Sequence, residues 1–381
     1  MMKDTVRIFF EASSVLDKKK TGIGYFSYHL VNALSRGSFK IVAFAFNFLG
    51  RNSYSIASHI ELHYIKFLPA KILSFITRQT GWQLPIEALI PDVKKNDWIF
   101  YPNYISYPTI RGVKSIVTIH DLAFLDLPDT LDEKNLKLLK KIMPKSIKRA
   151  SIILCISEFT KERLLYHFPN INNKDIVVQG IPPILKTKKI DPKRALEKFS
   201  LEYKKYILIV GTIEPRKNIK QAVDAFLSLP IDIRNEFKLV ILGKVGWKSS
   251  VLLEDISLYN KHSPDKQIVI TGYVSDSDKK GLYYGARFFV STSLYEGFGM
   301  PLLEAMTYKL PCIVSDIPTF QEVAGDSVTY YSDTSDLSSK MFDLIKNSQR
   351  SVSYGDILDA YSWNKFAEKI YESIDQNRHS D

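Results

Sequence analysis

Short, almost wholly apolar runs recur along this chain at close intervals, with helical patterns between them. The runs are VRIFFEA (6–12), KIVAFAF (40–46), WIFYP (98–102), SIVTIH (115–120), SIILCIS (151–157) and IVVQG (176–180). They continue as YILIVGT (206–212), KLVILGK (238–244), IVITGY (268–273), RFFVSTS (287–293), PCIVSD (311–316) and SVTYYS (327–332). A strand with one wet face alternates apolar and polar residues. Many of these do not alternate, so they read as strands buried on both faces. Helical stretches such as GYFSYHLVNALSR, NLKLLKKIMPKSIKRA, NIKQAVDAFLSL and MPLLEAMTY lie between them. That alternation predicts an α/β chain with parallel sheets and helices on both faces.

The chain has 381 residues, and domains commonly hold roughly 100–200. About half of the runs fall on either side of GIPPILKTKKIDPKRALEKFSLEYKK (180–205), which has Pro182, Pro183 and several lysines but no buried strand. We read it as a linker plus a lead-in helix. Two doubly wound, Rossmann-like domains follow, 1–185 and 186–362. A last helical pattern, 363–378, lies beyond the final strand, and the pattern alone does not say which domain receives it. Charge divides unevenly as well. Residues 1–185 carry 25 Lys+Arg against 15 Asp+Glu, and residues 186–381 carry 27 against 26. A basic first half suits nucleic acid, an anionic membrane surface or a phosphate-bearing substrate, or is simply solvated.

Several classes are excluded. No uncharged apolar run approaches the ~20 residues of a membrane span, and the opening MMKDTVRIFFEASSVLDKKK lacks the features of a signal peptide. The two cysteines, Cys155 and Cys312, sit in strand-like runs, which argues against a disulfide framework and for a reducing, cytoplasmic setting. No CxxC, HExxH, GxxxxGK[ST] or GxSxG pattern is present, so zinc sites, P-loops and nucleophile elbows lack support. No nucleic-acid-binding module explains the basic half. The one DxD-like triplet, Asp276-Ser277-Asp278, lies in a polar turn before a helix and carries little weight as a metal site.

Open doubly wound sheets bind ligands at the carboxyl ends of their strands, so chemistry is sought there. STSLYEGFGMPLLEAM (291–306) places Glu296 and Glu304 eight residues apart around a Gly297-Phe298-Gly299 turn, with Pro301 at a helix start. Backbone N–H groups at such a start suit an anion, and carboxylates suit hydroxyls. Glu304 also fits the plainer reading of a helix-start carboxylate facing the dipole. In ILIVGTIEPRKNI (207–219), Arg216 and Lys217 precede a helix, where cations oppose the dipole. A nearby phosphate would explain them, and solvated surface charge is the alternative. KTGIGYFSYHL (20–30) reads as a turn with Gly22 and Gly24 ahead of a helix, a weak signal by itself. His120, with Asp121, ends the strand SIVTIH, as a cleft residue or as a satisfied structural histidine.

Together these residues resemble a retaining glycosyltransferase of family 4, with the GT-B fold. The resemblance covers nearly the whole chain and is sharpest in VGTIEPRKN, VILGKVGW, ITGYVSD, EGFGMPLLEAM and PCIVSDIPTFQEVAGD. TGIGYFSYHL, TIHDLAFL and CISEFTKERL match more loosely. EGFGMPLLEAM is similar to the family's E-x7-E motif. The family fold implies two domains facing a cleft, with YSWNKFAEKIYESI as a closing helix that crosses back to the first.

The resemblance also implies roles. Lys217, helped by Arg216, would contact the donor's phosphates. Glu304 would hold the ribose hydroxyls, and Glu296 would lie near those of the sugar. Phe298, Gly299, Met300, Pro301 and Leu302 form the turn whose backbone would meet sugar and diphosphate. Thr212 stands where many members have an arginine. Gly243 and Tyr273 fall near the base-side wall, Gly22 and Gly24 on the loop approaching the phosphates, and His120 at the reacting centre. No metal and no cofactor beyond the nucleotide sugar is expected. The forms GTIEPRKN and IHDLAFL look similar to mannosyltransferases of bacterial surface polysaccharide assembly, which suggests GDP-mannose as donor. The acceptor would be a glycan or lipid-linked glycan on the basic first domain, with peripheral contact to an anionic inner membrane face and no nucleic acid. The stretch YIKFLPAKILSFITRQTGWQLPIEALI (64–90) is either an interfacial segment or an ordinary amphipathic helix. A nucleotide-sugar epimerase of GT-B-like fold and a non-catalytic sugar-nucleotide-binding subunit are the alternatives.

Overall fold

The computed structural model describes residues 6–16, 20–46, 60–65, 83–171, 174–184, 190–263, 266–347 and 352–378. The chain divides into two compact units. The first comprises Met1–Asp126, Glu133–Ile184 and Tyr361–Asp381, and the second comprises Leu127–Asp132 and Leu185–Ala360.

The first unit holds seven strands: β1 (Arg7–Glu11), β2 (Lys40–Phe46), β3 (Glu61–Ile65), β4 (Trp98–Tyr101), β5 (Lys114–Ile119), β6 (Ile152–Cys155) and β7 (Asp175–Val178). They run parallel in the order β3-β2-β1-β4-β5-β6-β7. Central strands are buried throughout, as their apolar runs require. Phe10 of β1 stacks on Phe100 of β4 at 5.2 Å. β3, with the sequence ELHYI, is the strand that apolar runs did not reveal. It is an edge strand whose residues are largely exposed or half-buried, so nothing selects for a continuous apolar run. The 64–90 stretch is described only at its ends. Tyr64 and Ile65 end β3, Ile86–Leu89 is a short helix, and 66–82 lie outside the described residues.

The second unit holds β8 (Tyr206–Val210), β9 (Lys238–Leu242), β10 (Ile268–Gly272), β11 (Phe288–Ser291), β12 (Cys312–Ser315) and β13 (Thr329–Tyr331). These are parallel in the order β10-β9-β8-β11-β12-β13. Ile207, Ile209, Phe226, Ile241, Phe288 and Ile313 form part of its core. In each sheet the first strand lies inside, and the chain reverses its winding beside it. For the second unit that switch point falls between β8 and β11, where ligands of such sheets bind. The segment Leu127–Asp132 belongs to this unit despite its early position. Trp247 Nε1 donates to Thr130 O at 2.7 Å and Lys248 Nζ to Asp129 O at 2.7 Å.

The helix Trp363–Arg378 packs in the first unit against the helix Gly22–Leu34. Phe26 meets Phe366 edge-on at 5.8 Å, and Tyr371 donates to the Leu34 carbonyl. Asp276 and Asp278 open the helix Asp276–Gly285. Asp278 is buried and bonded to Lys198 at 2.7 Å, so that triplet fastens two helices. Cys155 and Cys312 are free and buried, and burial pushes the Cys312 thiol up to about 12. Among the described residues no helix is long and apolar enough to cross a membrane.

Candidate functional site

Past the end of β8 the backbone crowds that of β9. A Cβ on Gly243 would lie 1.7 Å from Gly211 O, so glycine is required there. A Cβ on Gly211 would lie 3.3 Å from Lys217 Cε, so the bare glycine leaves the lysine stem its path over the strand end. Thr212 follows half-buried, with its methyl group against Gly246. Pro215–Lys217 form a 3-10 turn, Asn218 sits in the left-handed region at φ 47°, and the helix Ile219–Leu227 begins. From the loop after the neighbouring strand β11, Thr292 Oγ1 donates to Lys217 O at 2.9 Å and Leu294 N to Arg216 O at 2.9 Å. These bonds tie the two loops of the switch point together.

Glu296 is buried at the centre of this junction. Lys217 Nζ and Ser293 Oγ donate to its Oε1, the latter at 2.7 Å, and Arg216 Nη1 donates to its Oε2 at 3.3 Å. Arg216 also donates to Glu214 Oε1 at 2.9 Å and to Tyr295 O at 2.9 Å. Burial pushes the Glu296 carboxyl up, but Lys217 and Arg216 outweigh it and hold the group below the usual range. The two cations ahead of the helix are thus explained first by carboxylates. A phosphate is not required to account for their position, and they are not solvated surface charge either.

Gly299, at φ 87°, caps the helix Met300–Thr307, and a Cβ there would lie 2.7 Å from the Phe320 ring. Pro301 occupies the first turn and has no N–H, while Leu302 N already donates to Gly299 O at 2.9 Å. The Met300 amide is left as the first-turn donor for an anion. Phe298 and Leu302 are buried, so their side chains do not meet a ligand. Glu304 lies beyond the first turn and is 2% exposed. Lys279 Nζ donates to its Oε1 at 2.7 Å and Tyr283 Oη to its Oε2 at 2.8 Å. Its partners are therefore side chains of another helix, and the dipole reading falls. Burial, then the Glu304 charge, drives the Tyr283 hydroxyl well above its ordinary range. Tyr273 is 43% exposed just past β10, beside Gly272 at φ 67°, which bridges to Gly243. Sequence reading singled out neither Lys279 and Tyr283 nor Glu214 and Ser293. The available signal was the four-residue spacing of Lys279 and Tyr283 on one helix face.

In the first unit Gly22 and Gly24 lie within the first turn of the helix Gly22–Leu34, not in a turn before it. Thr21 is the N-cap. A Cβ on Gly24 would lie 2.7 Å from Ser14 O, so this glycine serves close packing. His120 is half-buried past β5, with its ring edge-on to Phe26 at 5.0 Å. Its Nε2 lies 2.7 Å from Pro102 O. A carbonyl only accepts, so Nε2 carries the proton. Burial lowers the ring's pKa below the ordinary value against smaller raising effects of Pro102 and Asp121. The neutral ring then presents Nδ1 as an acceptor. Among the described residues no three His, Cys, Asp or Glu side chains are grouped to hold a metal ion.

Residues 193–356 match the family described as Glycosyl transferases group 1. Over 234 residues the chain is 31% identical to O-antigen chain mannosyltransferase B of Escherichia coli, covering 61% of this chain and 60% of that protein. It is 28% identical to O-antigen chain mannosyltransferase RfbU of Salmonella typhimurium over 58% of this chain and 57% of that one. The chain thus spans less than two thirds of these relatives. Among solved structures, Anabaena HepE in complex with UDP and glucose matches with a TM-score of 0.68 at 12% identity, over 97% of this chain and 99% of that one. WaaG, a glycosyltransferase involved in lipopolysaccharide biosynthesis, matches with a TM-score of 0.63 at 13% identity, over 97% and 95%. The two parallel-sheet units are those of the GT-B fold.

Proposed function

We propose that this chain, which carries a glycosyl transferases group 1 domain on the GT-B fold, is a retaining mannosyltransferase. It would move mannose from GDP-mannose to a glycan or lipid-linked glycan. The observation that carries the reading is the cluster of Arg216, Lys217 and Glu296 at the switch point of the second sheet, with Glu304 on the next helix. Cations at strand ends suit a diphosphate, and carboxylates suit the hydroxyls of a sugar and a ribose. The mannosyltransferase relatives supply the choice of sugar.

In this reading the bond from the sugar's anomeric carbon to the leaving phosphate breaks. A bond from an acceptor oxygen to that carbon forms on the same face. The acceptor's proton passes to the leaving phosphate. Lys217, Arg216 and the Met300 amide stabilise the negative charge that grows on the phosphate, which is electrostatic catalysis. Glu304 takes the ribose hydroxyls and Glu296 those of the sugar. Gly299, Pro301, Phe298 and Leu302 shape the turn, Thr212 lies on the phosphate side, and Gly243 and Tyr273 border the base. In the first unit, His120 offers Nδ1 as an acceptor for a hydroxyl, and Gly24 lets the helix start pack on Ser14. No metal takes part in this scheme. The protein works at a cytoplasmic membrane face, where the basic first unit meets anionic lipid.

Calorimetric titration with GDP, UDP and dTDP, on wild type, Glu304→Ala and Lys217→Ala, tests this. GDP should bind the wild type, and each substitution should weaken it by roughly ten- to a hundredfold, the size of one charged hydrogen bond. Binding of none of the three, and none of GDP-mannose either, sinks the donor-site reading. Tight binding of UDP alone changes the donor and keeps the site.

A further inference from the structure

We propose that Glu296 makes this site prefer an intact nucleotide diphosphate sugar over the bare nucleotide diphosphate left after transfer. The inference rests on the donor-site reading above. Glu214, Glu296, Lys217 and Arg216 have side chains 5%, 9%, 13% and 18% exposed. Two acids and two bases cancel, so these four side chains offer no surplus positive charge to a diphosphate.

A diphosphate therefore has to draw a cation away from a carboxylate. Arg216 is held from three sides, by Glu214, by the Tyr295 carbonyl and by Glu296. Lys217, on a flexible stem over Gly211, is the cation that can turn. Once it does, Glu296 Oε1 keeps Ser293 alone and Oε2 keeps the 3.3 Å contact with Arg216. A buried carboxylate stripped of its ammonium partner is costly, and it then faces phosphate charge as well. A ligand that carries sugar hydroxyls brings donors to that carboxylate and offsets the loss. The bare nucleotide diphosphate brings none. The discrimination thus comes from a repulsive group, and it favours release of the spent nucleotide.

The test compares binding of GDP and GDP-mannose to wild type, Glu296→Gln and Ser293→Ala by calorimetry, with thermal melting of each unliganded protein as a folding check. In wild type the sugar nucleotide should bind the tighter. Glu296→Gln should strengthen GDP binding by roughly tenfold and weaken GDP-mannose, which reverses the order. Ser293→Ala, which removes the last partner of Oε1, should weaken GDP more than GDP-mannose. Equal weakening of both ligands by Glu296→Gln means that the carboxylate merely positions Lys217, and it overturns the proposal. An unchanged ratio in both variants overturns it too, while leaving the donor site standing. A wild type that binds neither ligand removes the donor-site reading itself.

Discussion

At the scale of single residues, the two glutamates and two cations stood out because their types were odd for their places. Cations before a helix and a carboxylate past a glycine turn need partners, and the sequence says so without naming them. The partners came from tertiary structure. Glu296 meets Lys217, 79 residues away, and Glu304 meets Lys279 and Tyr283, 25 and 21 residues away. No local spacing encodes such pairs. His120 carries a testable titration. Burial lowers its pKa, so the folded protein prefers the neutral ring. The stability it contributes is whole above the unfolded value of about 6.5 and is lost as pH falls through that value towards the folded one. Between pH 7 and pH 5.5 the melting temperature of wild type should fall further than that of His120→Gln, which cannot charge. Parallel curves would show that His120 is no more buried when folded than when unfolded.

At the scale of elements, continuous apolar runs found the buried strands and could not find β3. An edge strand pairs on one side and keeps wet residues, so its sequence ELHYI resembles a loop. Helix starts were harder to place than strands. Gly22 and Gly24 look like turn residues, yet they are helical, and the backbone of the 3-10 turn Ser13–Val15 packs closely against Gly24. Replacing Gly24 by Ala gains helix propensity of about 1 kcal/mol. The added Cβ would sit 2.7 Å from Ser14 O, a backbone atom that cannot simply rotate away. Overpacking of this kind costs about 1–3 kcal/mol. Gly24→Ala should therefore lower stability in a denaturant melt, and a more stable variant would mean that the 3-10 turn yields.

At the scale of the whole molecule, charge is the property to test. The helix Glu133–Arg149 turns Leu139, Ile142, Met143 and Ile147 inward. Lys134, Lys137, Lys145 and Lys148 are exposed, and with half-buried Lys141 they follow the spacing of one helix face. Lysines near an anionic bilayer contribute about 1 kcal/mol each. If this face meets the membrane, the protein should sediment with phosphatidylglycerol vesicles and not with phosphatidylcholine vesicles. Lys137→Glu, Lys145→Glu and Lys148→Glu together should abolish the binding at ordinary salt. Sedimentation unaffected by the triple change would remove this helix from the membrane reading.

Fold class was legible because burial on both faces of a parallel sheet forces an apolar run at every central strand, and a run is a local property. The loops past β8 and β11 were legible for a related reason: glycines, a proline and clustered charges mark strand ends directly. Packing across long separations decided the rest. Which unit takes the last helix depends on Phe366 and Tyr371 finding Phe26 and Leu34, more than 300 residues earlier. Early residues Asp129 and Thr130 join the second unit through Trp247 and Lys248. Whether Arg216 and Lys217 stand unpaired or neutralised was settled only when the fold brought Glu296 between them, since an ion pair depends on distance in space and not on separation along the chain.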